Sequence, residues 1–163
     1  MKCIYHNLPG PSSLFLHYPA LVVKIFPSPS RLMSLLDPLA MFPLLLRCMN
    51  AYTDVNYLKS CPRAYEDEIR ACAVPNRDPL VSPLLASPET LAQFPKTYLF
   101  SSTSDPCLDE TIEFSNKLLD VGVPVSLQVF QVLPQAFLSL NSMSNECQKA
   151  VDVVSNSLKS LCV

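Results

Sequence analysis

The chain has 163 residues, 49% hydrophobic and only 16% charged, with a net charge of −2, which suffices for one domain with a sizeable core. No basic stripe is present to neutralise phosphates, which argues against a nucleic-acid partner. Glycine occurs only at Gly10 and Gly122, so a phosphate-cradling loop, a dinucleotide fingerprint and a Gly-x-Ser-x-Gly nucleophile elbow are all excluded from this sequence.

Residues 1–17 show no periodicity and read as an unstructured leader, with the remainder, 18–163, as the folded part. Tyr18 to Phe26 is a short run rich in β-branched residues and a strand candidate. Pro27-Ser28-Pro29-Ser30 ends it and supplies an N-cap for a helical turn or two over Arg31 to Leu36. Asp37-Pro38 restarts the chain. Leu39, Phe42, Leu46 and Met49 then recur at helix spacing, which predicts a second helix to about Tyr52, kinked or offset at Pro43. Residues 53–80 are the most polar part, with a short helix expected over 65–70, and a proline-punctuated surface loop follows over 78–88. Lys96 to Ser102 reads as a buried strand. Asp109 to Val121 reads as an amphipathic helix with acids in its first turn and Gly122 as its C-terminal cap. Val125 to Val132 is a further strand, and a closing helix within 141–161 is marked by Cys147, Val151, Val154, Leu158 and Leu161.

The seven cysteines, Cys3, Cys48, Cys61, Cys72, Cys107, Cys147 and Cys162, are scattered and odd in number, without Cys-x-x-Cys spacing. They read as free thiols in a reducing compartment, and neither a metal nor a cofactor is expected. Cys107 adjoins an acid, but no cationic neighbour that would activate its thiol is evident. Asn7, Pro9, Pro11, His17, Pro19 and Lys24 break any signal-peptide core. Asp37, Pro38 and Pro43 interrupt the apolar stretch 32–46 well short of the ~20 residues that span a bilayer. A cytoplasmic protein, soluble or peripherally associated with a lipid-droplet or membrane surface, is expected.

Strand, helix and strand over 96–132 make one βαβ unit, which implies parallel strands and a right-handed crossover. In open parallel sheets the chemistry lies beyond the carboxyl ends of the strands. Asp105, in Ser104-Asp105-Pro106-Cys107-Leu108-Asp109-Glu110, and Gln135, in Leu133-Pro134-Gln135-Ala136-Phe137, both fall there. That shared location is a geometric reason to place them in one site. The alternative for Asp105 is an Asp-Pro turn that caps the next helix.

Several segments together resemble the hormone-sensitive lipase family of α/β-hydrolases. They are Ser28-Pro29-Ser30-Arg31-Leu32-Met33-Ser34-Leu35-Leu36-Asp37-Pro38-Leu39, then Ser82-Pro83-Leu84-Leu85-Ala86, then Asp105-Pro106-x-Leu108-Asp109, and finally Leu133-Pro134-x-x-Phe137. The similarity runs from about Tyr18 to Lys159 and matches the carboxyl-terminal part of the family's catalytic domain. The fold implied is therefore α/β, the C-terminal portion of an α/β-hydrolase with a partial parallel sheet and flanking helices. The resemblance places the family's catalytic acid at Asp105 and its catalytic histidine at Gln135, with Ala136 where a glycine usually follows. The oxyanion His-Gly-Gly stretch and the Gly-Asp-Ser-Ala-Gly elbow have no counterpart here, so no nucleophile is assigned. Residues 53–80 are too short for the regulatory insertion some relatives carry.

Gln135 cannot act as a histidine would, because a carboxamide does not titrate near neutrality and cannot shuttle a proton. Of the two histidines, His6 lies in the leader, and His17 precedes the Tyr18 strand, at the wrong end for the site. The leading expectation is a truncated or carboxyl-terminal piece of a lipase-like hydrolase of acylglycerol or sterol esters, inactive alone. The alternatives are a binding or regulatory pseudoenzyme that pairs with a protein partner or with itself, and an incomplete reading frame without a stable product.

Overall fold

The computed structural model describes residues 1–23, 28–36, 41–53 and 78–160. Its frame is a three-stranded sheet in the order β1 (Ser13–His17), β2 (Lys96–Ser102) and β3 (Val125–Phe130). All pairings are parallel, running from Ser13↔Lys96 to His17↔Phe100 and from Thr97↔Val125 to Ser102↔Phe130. The central strand has the most continuous apolar run, as burial on both faces requires, and every residue after Lys96 is buried.

The two faces of β2 are covered by different helices. On one, Leu99 packs with Phe114 and Leu118 of α5 (Leu108–Asp120), the crossover between β2 and β3, together with Leu21, Leu84, Leu91 and Val123. Leu99, Phe114 and Leu118 are wholly buried, and each contributes on the order of 1.5–3 kcal/mol of hydrophobic stabilisation. On the other face, Tyr98 and Phe100 pack with Val154 of α6 (Asn145–Lys159) and with Phe15 and Phe130. Alternation of side chains along a strand is what sends Leu99 and Phe100 to opposite layers.

Local chemistry ends these elements where the sequence marks them. At the end of α5, Gly122 takes φ +81°, the left-handed conformation that glycine adopts without a Cβ penalty. Gly122 N–H donates to Leu119 O and Val123 N–H to Leu118 O, the pair of bonds that satisfies the last helical carbonyls. The Ser144 hydroxyl accepts from Glu146 N–H to start α6, and the Ser28 hydroxyl accepts from Arg31 N–H to start α2 (Pro29–Ser34).

The amino-terminal part differs from expectation. The stretch read as an unstructured leader contains a short helix, α1 (Lys2–Tyr5), and the edge strand β1. The strand expected over 18–26 is instead Ser13–His17, since Tyr18 at φ +38° breaks the extended run and residues 18–23 take no strand pairing. The β-branched pair Val22-Val23 misled because it marks packing rather than strand. Val22 lies in the α5-side core, and Val23 packs against Leu45, Met49 and Cys107. Among the described residues Pro43 does not lie in a helix interior. It falls in the first turn of α3 (Met41–Thr53), where a backbone N–H has no intrahelical partner to lose. The loop over 78–88 contains a 3₁₀ turn at Pro83–Leu85, and a short helix, α4 (Pro88–Leu91), follows the Ser87 cap. The helix expected over 65–70 lies outside the described residues.

Candidate active site

The site is built at the carboxyl ends of β2 and β3. Past Ser102 the chain turns through Asp105, with Asp105 N–H donating to Ser102 O at 3.1 Å and Leu108 N–H to Asp105 O at 3.1 Å as α5 begins. The Asp105 side chain is wholly buried. Its Oδ1 accepts from Cys107 N–H at 2.8 Å, closing an Asx turn, and its Oδ2 accepts from Ser101 Oγ at 2.8 Å. The turn-forming role and an oriented, inward-facing carboxyl therefore coexist in one residue.

Burial pushes the Asp105 carboxyl above the ordinary carboxylate range, against the lowering effect of the Cys107 N–H and Ser101 hydroxyl bonds. A folded-state value above the unfolded one means that the folded protein holds this proton more tightly. The stability it contributes is full in acid and is lost as pH rises through the raised value. Asp105→Asn is accordingly expected to stabilise the protein at pH 7, and the gain should shrink as pH falls toward 4. Urea melts at the two pH values measure this, and a variant less stable than the parent at pH 7 would contradict it.

Three bonds tie together the carboxyl ends of β2 and β3 and the loops that follow them. Ser102 Oγ donates to Leu133 O, Val132 N–H donates to Thr103 Oγ1 at 2.8 Å, and Thr103 N–H donates to Phe130 O at 2.9 Å. Gln135, half-buried, lies in this tied loop. Ala136 beside it takes φ +64°, a conformation that costs an L-residue about 1–2 kcal/mol and that glycine adopts freely. Phe137 follows, wholly buried against Tyr18 and Phe130, with ring centroids at 5.5 and 5.1 Å, and it anchors the loop to the sheet.

His17 requires a correction. It does not precede a strand; it ends β1, opposite Phe100 in a parallel pair, and so stands at the same carboxyl edge as Asp105. Its ring stacks on Phe100 with centroids 5.1 Å apart, whereas Asp105 engages Ser101, the next residue, which points to the opposite face. The His17 Nδ1 is buried with no hydrogen-bond partner, and burial lowers its pKa, so the ring is held neutral.

Cys107 also differs from the reading of the sequence, because a cation does act on it. Burial, reinforced by the charge of Asp105, pushes the thiol up to about 12, and the opposing pull of Arg31 is too small to reverse that. The thiol is a packing group against Leu45 and Met49, not a nucleophile. Among the described residues no cluster of three or more His, Cys, Asp or Glu could hold a metal ion, and no helix is long and apolar enough to cross a membrane.

An acid turn after one parallel strand is thus hydrogen-bonded to the chain that follows the next, at the carboxyl edge of the sheet. The family model for the alpha/beta hydrolase fold matches residues 5–139. The chain belongs to the α/β-hydrolase fold family. Its likeness to hormone-sensitive lipase is direct: the lipase of Mus musculus is 38% identical over 76 residues, 47% of this chain and 10% of the lipase. An esterase of Fusarium pseudograminearum is 32% identical over 100 residues, 58% of this chain and 31% of that protein.

Solved α/β-hydrolases show the same fold. The esterase of Pyrobaculum calidifontis superposes with a TM-score of 0.72 at 20% identity, covering 99% of this chain and 47% of that one. Carboxyl esterase 2 of Tuber melanosporum gives 0.65 at 22%, covering 98% and 47%. This α/β-hydrolase chain thus spans about a tenth of the length of the lipases it matches and just under half of the solved esterases. The family match also begins within the stretch that reads as a leader, in keeping with the placement of β1 there.

Two polar features of this sheet edge leave no sign in the local sequence. Ser101 looked like one more residue of a buried strand, and its role appears only when the turn brings Asp105 back over it. Ser30 and Arg31 read as part of a helix start, yet they contact α5 from 79 residues away. Residues that far apart leave no periodic trace.

Proposed function

We propose that this chain carries the acid-position and base-position loops of a hormone-sensitive-lipase-like ester hydrolase and does not hydrolyse esters by itself. The support is Asp105, a wholly buried carboxyl with both oxygens hydrogen-bonded, at the end of the central strand and one strand from the tied loop of Gln135. In a Ser-His-Asp machine the acid fixes the imidazole tautomer and stabilises the imidazolium formed when the nucleophile loses its proton. Gln135 stands where that imidazole would be, and its amide can hold a water or donate a hydrogen bond but cannot take the proton. The substrate class of the hydrolase would be carboxylic esters of the acylglycerol or sterol kind. Its setting would be lipid degradation in the cytoplasm, at or near a lipid surface.

A second reading, a non-catalytic binding protein, draws on two observations. Among the described residues β1 has a strand neighbour on one side only. In addition, Leu32, Met33, Leu35, Leu36, Leu44 and Tyr52 of the α2–α3 region are exposed.

One preparation tests both readings. The purified 163-residue chain and its Gln135→His variant are assayed on p-nitrophenyl butyrate and sedimented at the same concentrations. We expect neither to turn over ester, because restoring a base supplies no nucleophile. Hydrolysis by either, lost on Asp105→Asn, would overturn the inactive reading. A strictly monomeric chain with a cooperative melt would count against the binding reading.

A further inference from the structure

We propose that Ser30 is a positioning residue for Asp105, holding the turn 105–109 from outside through α2. The proposal rests on the reading of Asp105 as the acid position and adds to it a residue remote in sequence. Ser30 N–H donates to Asp109 Oδ2 at 2.8 Å, and Ser30 Oγ lies 2.8 Å from that same oxygen and 3.1 Å from Pro106 O, sharing its single proton between them. Asp109 N–H points back at Ser30 Oγ at 3.5 Å.

One buried serine therefore joins both ends of the turn in which Pro106 and Cys107 follow Asp105. The next residue of α2, Arg31, forms a buried ion pair with Glu110, the next residue of α5. Burial tends to raise the Asp109 carboxyl, but the hydrogen bonds from Ser30 and Ser28 and the charge of Arg31 outweigh it. They keep Asp109 below the ordinary range, in its accepting form.

The physical consequence lies in how tightly Cys107 N–H is presented to Asp105 Oδ1. Pro106 has no N–H, so Cys107 N–H is the first backbone donor after the acid, and its direction depends on the Pro106 carbonyl plane that Ser30 holds. Without the Ser30 hydroxyl that plane is free to tilt, and the Cys107 N–H bond to Asp105 Oδ1 weakens.

The test is a ¹³C NMR titration of the Asp105 carboxyl in the full chain. It compares the parent with Ser30→Ala, Ser30→Thr and, as a destabilising control on the opposite sheet face, Val154→Ala. In Ser30→Ala the midpoint is expected to rise, because a weaker Cys107 N–H bond withdraws one of the two bonds that favour the charged form. Exchange of the Cys107 amide should quicken about tenfold without a matching change at Leu99. Ser30→Thr, which keeps the hydroxyl, restores both, and Val154→Ala moves neither selectively. An unmoved Asp105 midpoint in Ser30→Ala, an equal shift in Val154→Ala, or failure of Ser30→Thr to restore it overturns the proposal. Should Ser30→Ala not fold, Ser28→Ala removes the hydroxyl 3.2 Å from Ser30 Oγ and is judged by the same criteria at smaller amplitude. None of these readouts uses ester turnover, so they can fail while Asp105 remains the acid position, and the reverse also holds.

Discussion

In a chimera where this chain replaces the superposed 47% of the Pyrobaculum calidifontis esterase, hydrolysis of p-nitrophenyl butyrate is expected to be absent with Gln135 and to rise about 10⁴-fold on Gln135→His. The retained part of the esterase would contribute the nucleophile that the family resemblance implies, leaving the proton transfer as the missing step. An imidazole near neutral pKa can accept the nucleophile's proton and return it to the leaving group, and a carboxamide can do neither. Adding Asp105→Asn to the His-bearing chimera should remove about 10⁴-fold again. The buried carboxyl would no longer select the tautomer or balance the imidazolium charge. The comparison is made on chimeras with cooperative melts. Appreciable activity with Gln135 would show another base at work. No gain with His would show that position 135 is not the base position.

Glu110→Ala is expected to cost about 3–5 kcal/mol in urea denaturation, a large share of the stability of a domain this size. Arg31 is 2% exposed and Glu110 6%, so removing one partner leaves the other charge in a dry interface between α2 and α5. The Glu110 Oε2 is already buried without a hydrogen-bond partner, which places the ion pair close to the limit at which Coulombic gain offsets desolvation. The double change Arg31→Met with Glu110→Leu should therefore cost far less than Glu110→Ala, and its non-additivity measures the coupling. A Glu110→Ala cost below about 1 kcal/mol would mean that the pair does not hold α2 against α5.

Legibility in the sequence followed the range of the interactions. Lys96 to Ser102, the amphipathic helix ending at Gly122 and the strand beginning at Val125 were all readable. Apolar runs, 3.6-residue periodicity and a glycine at a left-handed position are set by neighbours a few residues away. The Tyr18–Phe26 run reads as a strand because β-branched content reports burial as readily as extension, and tertiary packing buries Val22 and partly buries Val23. The sequence pattern puts His17 at the amino end of a strand for the same reason, whereas it ends β1. A shift in the strand reverses which edge of the sheet a flanking residue occupies.

By itself the sequence determined three local facts: two glycines in 163 residues leave no Gly-x-Ser-x-Gly segment, position 135 is an amide, and Asp105 and Gln135 follow consecutive parallel strands. Only the tertiary structure decided how those positions are held. Ser101 closes on Asp105, Ser102 ties down the Gln135 loop, and Ser30 with Arg31 grips α5 across 79 residues. The physical reason is that hydrogen bonds and buried charges become decisive once water is excluded, and which groups lose their water is a property of the packed layers rather than of any local stretch of chain.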